Sequence, residues 1–209
     1  GDTSATIDIF RSLGVNIEII NNNSLVIHGV GLNGLSEPKE ELNAKSSGTT
    51  ARLLTGLLAR QSFSSVLVGS NQLTNRPMGR VVNLLNENGS NISSENGYLP
   101  LKFKQASNTF NSINTKVPSA QVKSALLLAS LYHSEPTTIT EDIATRDHSE
   151  RMLTHMGVGI VRMGTSITIP PNQLIKPVNL DIPSDTSSAA FLIALGVLSS
   201  EKIVLRKVL

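Results

Sequence analysis

The chain has no cysteine and no tryptophan, and aromatic residues make up only 3% of its 209 positions. Without cysteine there can be no disulfide, no thiolate metal site and no cysteine nucleophile, a composition compatible with a reducing cytoplasm. With so few rings, the core has to be built from Leu, Ile, Val and Ala packed between helices and sheet, and a hydrophobic content of 39% is enough to build one. A formal net charge of +2, with no basic stripe interleaved with aromatics, calls for no nucleic-acid partner. No stretch approaches the roughly 18 consecutive apolar residues of a membrane span, and residues 1–20 lack the layout of a signal peptide. His28, His133 and His155 are isolated and show no metal-ligand spacing, so no metal site is expected.

What the chain does have is a repeat. Small hydroxyl residues open apolar helical runs at Ser46-Ser47-Gly48-Thr49-Thr50, at Ser119-Ala120-Gln121 and at Ser184-Asp185-Thr186-Ser187-Ser188, each a suitable N-cap. A second kind of helix ends at Leu13-Gly14-Val15, Asn88-Gly89-Ser90 and Met156-Gly157-Val158, where glycine supplies the left-handed stop before a β-rich pair. The recurrence interval, roughly 65 to 75 residues, is too long for a solenoid repeat of about 20 to 50 and fits a repeated βαβαββ subdomain. The first copy retains a helix near Thr3 to Leu13 and the hairpin of Val15 to Ile20 with Ser24 to His28. The second runs from about Ser36 to Phe103 and the third from about Asn111 to Ile169. A fourth begins with Val178 to Ile182, enters a helix at Ser184 to Leu198 and continues into Lys202 to Leu205.

Chemistry is expected at the N-termini of the first kind of helix, where free backbone N–H groups and the helix dipole favour anions. Lys45 to Arg52 combines hydroxyls, a glycine that lets a ligand approach the backbone, and flanking cations, but lacks the pattern of a nucleotide P-loop. In Asn75-Arg76-Pro77-Met78-Gly79-Arg80 the proline stands where a helix would begin, and Arg76 precedes it with a guanidinium suited to carboxylate or phosphate. Capping alone explains Ser119 but hardly Gln121. The segment Thr145 to Arg151 is dense in functional groups; Asp147 or Ser149 can cap a helix whose first turn carries Glu150, favourable to the dipole without any catalysis.

Taken together, Ser46 to Gly56, Arg76-Pro77-Met78-Gly79-Arg80, Ser119 to Ala125 and Arg146 to Leu153 resemble, in order and spacing, the successive signatures of the 3-phosphoshikimate 1-carboxyvinyltransferase (EPSP synthase) family. The resemblance covers essentially the whole chain. It implies an α/β fold in which repeated βαβαββ units pack as one domain of the two-domain enolpyruvyl transferase fold. Residues 1–183 would form an N-terminal-type domain holding a partial first unit and units two and three, and residues 184–209 would start the C-terminal domain. The implied reaction transfers the enolpyruvyl group of phosphoenolpyruvate to the 5-hydroxyl of shikimate 3-phosphate, in the shikimate pathway leading to chorismate and the aromatic amino acids. It needs no cofactor and no metal, and implies a cytoplasmic, monomeric parent enzyme.

Carried over by motif, Gly48, Arg76 and Gln121 would contact phosphoenolpyruvate, while Ser119, Ala120, Gln121 and Thr145 would hold shikimate 3-phosphate, Thr145 standing where the family usually has a serine. The family's catalytic Lys, Asp and Glu fall outside the chain, so these residues bind and position, and the 209 residues alone are expected to lack turnover. Lys45-Ser46 replaces the family's usual Gly-Asn, which would either strengthen anion binding or crowd the site. The alternatives are the sister enzyme acting on UDP-N-acetylglucosamine and a noncatalytic substrate-binding fragment.

Overall fold

A computed structural model of the chain describes residues 2–106, 112–199 and 202–206. Contacts divide it into two compact units, Gly1–Pro177 and Val178–Leu209. The first unit opens with α1 (Asp2–Ser12) and the hairpin β1 (Asn16–Asn21) and β2 (Ser24–His28). It continues with β3 (Leu42–Asn43), α2 (Gly48–Leu58), β4 (Ser65–Val68), the short α3 (Asn71–Thr74), α4 (Gly79–Glu87), β5 (Asn91–Glu95) and β6 (Tyr98–Lys104). There follow β7 (Ser112–Thr115), α5 (Ala120–Ser130), β8 (Thr137–Glu141), α6 (His148–His155), β9 (Val161–Met163) and β10 (Ser166–Ile169). Apart from α3, the second and third copies are therefore both βαβαββ. Asn111, expected to begin the third copy, lies outside the described residues.

The two four-stranded sheets have one topology. In β3-β4-β6-β5 and β7-β8-β10-β9 the first two strands run parallel, joined by a crossover through a helix, and the last pair is an antiparallel hairpin docked on the second strand. Strand alternation turns Leu99, Leu101 and Phe103 of β6 and Ile139 of β8 to the core, together with Ile167 and Ile169 of β10. The β1–β2 hairpin stands apart from this core and leaves Ile19, Ile20 and Ile27 exposed.

The three glycine corners are the same motif built three times. Gly14, Gly89 and Gly157 have φ of 89°, 81° and 94°, a region open to glycine at no steric cost. At each corner the residue after the glycine donates back across six residues: Val15 to Phe10, Ser90 to Leu85 and Val158 to Leu153, each at 3.0 Å. These bonds satisfy carbonyls that the helix end would otherwise leave open.

Helices α2 and α5, which occupy equivalent places in their repeats, pack directly on one another in parallel. Gln121 meets Thr49 and Arg52 at one end, Gly56 meets Ala125 in the middle, and Gln61 donates to the Tyr132 hydroxyl at 3.0 Å at the other end. The approach is close enough to demand glycine, because a Cβ on Gly56 would lie 1.9 Å from the Ala125 carbonyl oxygen. Helix α5 is buried on nearly every face, from Val122 through Ser130, with the apolar run 125–129 at its centre and Lys123, Ser124 and Ser130 buried around it.

Three local expectations shift. The helix expected at Pro77 begins at Gly79, with Met78 as its N-cap residue. In the second unit α7 (Thr186–Leu198) starts after Asp185 rather than Ser184, and the Asp185 carboxylate accepts from the Ser187 N–H at 3.0 Å. Residues 178–182 and 202–205 are not strands, since no ladder partner lies beside them among the described residues. Among the described residues no helix is long and apolar enough to cross a membrane.

The Gly56 contact gives a direct test. Gly56→Ala forces α2 and α5 apart against backbone that cannot rotate away, and is expected to destabilise the chain by about 3 kcal/mol, seen as a lower urea midpoint with little change in slope.

Candidate functional site

The parallel packing brings the N-termini of α2 and α5 side by side. Ser47 caps α2 by accepting the Thr50 N–H at 3.1 Å, and Ser119 caps α5 by accepting the Val122 N–H at 3.4 Å. Each hydroxyl uses a lone pair to cap. Ser47 also spends its proton on the Thr50 hydroxyl at 2.7 Å, whereas that of Ser119 has no partner among the described residues.

Around the α2 N-terminus three guanidiniums converge. A Cβ on Gly48 would lie 3.1 Å from a terminal nitrogen of both Arg52 and Arg76, tighter than an ordinary contact, so the missing side chain leaves the two cations room at the helix mouth. Burial, and then the charges of Arg76 and Arg80, push the Arg52 pKa down from its ordinary value. Among the described residues no carboxylate forms an ion pair with any of the three. Mutual repulsion of this kind is relieved by a bound anion. Arg52 also donates to the Pro77 carbonyl at 3.3 Å, which ties the Arg76 segment to α2.

Gln121 joins this cationic end to the neighbouring cleft. Its Oε1 accepts from Arg52 Nη1 at 2.9 Å and its Nε2 donates to Thr49 Oγ1 at 2.9 Å. On its other side Ser119, Ala120, Gln121, Thr145 and Arg146 line a cleft of about 510 Å³ with Pro118 and Ala144. Ser119, Ala120, Gln121 and Thr145 are thus gathered in one cleft, and Gly48 and Arg76 lie together at the adjoining helix mouth, with Gln121 between the two groups.

Lys45 neither enters nor crowds this region. Its backbone has φ of 52°, the left-handed conformation that glycine adopts without strain. Its ammonium pairs with Asp8 of α1 at 2.6 Å and reaches the Ser4 hydroxyl at 3.4 Å. That hydrogen bond holds the Asp8 carboxyl below its usual range. Lys45 is a strut between α1 and the loop before α2.

The expectation for residues 147–150 needs correcting. Asp147 holds the N-cap position of α6 without a side-chain capping bond, and Ser149 instead bonds the Ser124 hydroxyl of α5 at 2.6 Å. Glu150 does stand in the first turn of α6, as expected, but it is buried rather than turned to solvent. Its side chain is 7% exposed and faces Lys123 Nζ at 2.8 Å, an ion pair without hydrogen-bond alignment. Lys123, itself 1% exposed, also pairs with the equally buried Glu141 at 3.0 Å.

Sequence reasoning missed Lys123 and Glu141, although a signal was present. Lys123 sits among the buried residues of α5, and Glu141 follows Ile139 by two on β8, so strand alternation turns Glu141 inward with Ile139. A cation and two carboxylates at these depths persist only as a set. Lys123→Met leaves both carboxylates buried without a counter-charge and is expected to cost about 4 kcal/mol, read as a large fall in urea midpoint; an unchanged midpoint would refute the pairing.

The fold is that of the enolpyruvyl transferases, as the comparisons with known proteins show. The family model described as EPSP synthase (3-phosphoshikimate 1-carboxyvinyltransferase) matches residues 1–209, and the chain belongs to that family. It is 45% identical over 194 residues to the 3-phosphoshikimate 1-carboxyvinyltransferase of Vesicomyosocius okutanii, covering 92% of this chain and 44% of the relative. It is 42% identical over 202 residues to the enzyme of that name from Desulforudis audaxviator, covering 96% of this chain and 47% of the relative. Among solved structures, EPSP synthase from Acinetobacter baumannii superposes with a TM-score of 0.84 at 39% identity, over 91% of this chain and 43% of that one. The chain spans somewhat under half the length of these relatives.

Proposed function

We propose that the chain contributes the N-terminal-type half of a 3-phosphoshikimate 1-carboxyvinyltransferase, seating shikimate 3-phosphate in the Ser119–Thr145 cleft and phosphoenolpyruvate at the Gly48–Arg76 mouth. The observation that carries the reading is Gln121, which touches the first turn of α2 with both ends of its amide while lining the neighbouring cleft. Two anionic substrates that must react with each other need adjacent but distinct anion sites, and a neutral hydrogen-bonding group between them avoids stacking one excess charge on another.

In this reading the free proton of Ser119 and the Ala120 N–H at the start of α5 donate to the phosphate of shikimate 3-phosphate, supported by the helix dipole. Arg76, with Arg52 beside it, pairs with phosphoenolpyruvate, and the missing Cβ of Gly48 leaves the approach open. The 5-hydroxyl of shikimate 3-phosphate then adds to C2 of phosphoenolpyruvate, giving up its proton to a base while C3 takes up a proton from an acid, and loss of phosphate from C2 with a proton from C3 forms the enol ether. The groups that move those protons would lie in the part of the relatives that the chain does not span. Residues 1–183 would form the N-terminal-type domain and 184–209 the start of the next, within a cytoplasmic, monomeric parent enzyme with no nucleic-acid or membrane partner.

Calorimetric titration with shikimate 3-phosphate, alone and then with phosphoenolpyruvate present, tests the reading. Saturable binding is expected, weakened at least tenfold by Gln121→Ala, whereas Arg76→Ala should mainly reduce the effect of adding phosphoenolpyruvate. No heat at millimolar ligand would count against the reading. Gly48→Ala should also selectively weaken phosphoenolpyruvate, because its methyl group must displace both guanidiniums; equal loss for the two ligands would contradict that assignment.

A further inference from the structure

The buried charge cluster touches the cleft at one residue. Thr145 is gripped by all three of its polar groups: its hydroxyl donates to Glu141 Oε1 at 2.5 Å, its N–H points to Glu141 Oε2 at 3.4 Å, and its carbonyl accepts from Lys123 Nζ at 3.3 Å. Glu141 Oε2 also accepts from Lys123 Nζ at 3.0 Å, so the carboxylate that takes the Thr145 proton is itself held by an ammonium. A threonine hydroxyl has a single proton. Committed to Glu141, that proton leaves only lone pairs for the cleft. A phosphate dianion has nothing but acceptors to offer.

We propose that Glu141 is a positioning and specificity-determining residue that sets the polarity of the Thr145 hydroxyl, holding it as an acceptor in the resting protein so that an anion must draw its proton away from Glu141. The proposal rests on the cleft being the seat of shikimate 3-phosphate. It changes the role expected of Thr145, from a ready phosphate donor to one that Glu141 restrains.

Glu141→Gln reverses one hydrogen bond and spares the rest. The amide oxygen can take the Oε2 position, where it still accepts from Lys123 and the Thr145 N–H, while the amide nitrogen at Oε1 donates to Thr145 Oγ1. The hydroxyl proton is then released toward the cleft. The substitution also leaves Lys123 and Glu150 as a formally balanced pair, so the core is not left with an uncompensated charge.

Two measurements test this. In proton NMR spectra of the ligand-free chain, a slowly exchanging, downfield hydroxyl resonance that disappears in Thr145→Val is expected, and it should move upfield and exchange faster in Glu141→Gln. Absence of any such resonance in the unsubstituted chain overturns the proposal. In titrations with shikimate 3-phosphate, Glu141→Gln is expected to bind about tenfold more tightly, the scale of a hydrogen bond to a charged group, and the gain should vanish when Thr145→Val is also present. A gain that persists with Thr145→Val would be charge removal alone and would overturn the proposal, as would no gain in a normally folded Glu141→Gln. If no variant binds shikimate 3-phosphate, the reading of the cleft fails, and the hydroxyl resonance still decides the polarity of Thr145.

Discussion

The close parallel packing of α2 on α5 is the constraint on which the rest of the structure depends. Two helices from successive repeats lie in register because Gly56 lets the backbones touch at Ala125. Parallel register is what sets Ser47 and Ser119 beside each other as N-caps, and it aligns two helix dipoles with their positive ends together. Parallel dipoles repel, as do Arg52, Arg76 and Arg80 gathered at the same end. The apolar core beneath, with Leu54, Leu58, Leu126 and Leu127 buried, holds an arrangement that electrostatics alone would open. A surface on which positive charge is gathered is thus produced by hydrophobic packing.

The buried set Lys123, Glu141 and Glu150 extends the same logic to the second repeat. Lys123 rises from α5, Glu141 from β8 and Glu150 from α6, so one ammonium ties together three consecutive elements of one βαβαββ unit. Because the Thr145 segment hangs from the same groups, cleft geometry and core integrity are coupled. Substitutions that remove the cation should therefore damage folding before binding, whereas substitutions that only neutralise a carboxylate separate the two.

Much of the architecture was legible in the sequence. The glycine corners at Gly14, Gly89 and Gly157 announce helix ends because few other residues sit comfortably at positive φ, and the serine openings announce helix starts because a hydroxyl can replace a missing backbone partner. The residues singled out by motif are brought together in space, in the cleft beside Gln121 and at the adjoining helix mouth. Side-chain partnership was less legible. Glu150 reads locally as a dipole-friendly first-turn residue, and only the placement of Lys123 opposite α6 makes it a core ion pair. Lys45 reads as a free cation near an anion site, and only the position of α1 gives it Asp8. The expected strands at 178–182 and 202–205 failed because a strand is defined by its neighbour, which local sequence does not contain.

The central proposal is that the α5 mouth and the Thr145 segment together seat shikimate 3-phosphate beside the α2 mouth. Amide chemical-shift mapping of the isotope-labelled chain titrated with that ligand tests it most directly. Saturable shifts concentrated at Ala120, Gln121, Thr145 and Arg146, with smaller ones at Gly48 and Thr49 transmitted through Gln121, are the predicted result. Shifts that are absent, or that cluster away from these residues, would contradict it.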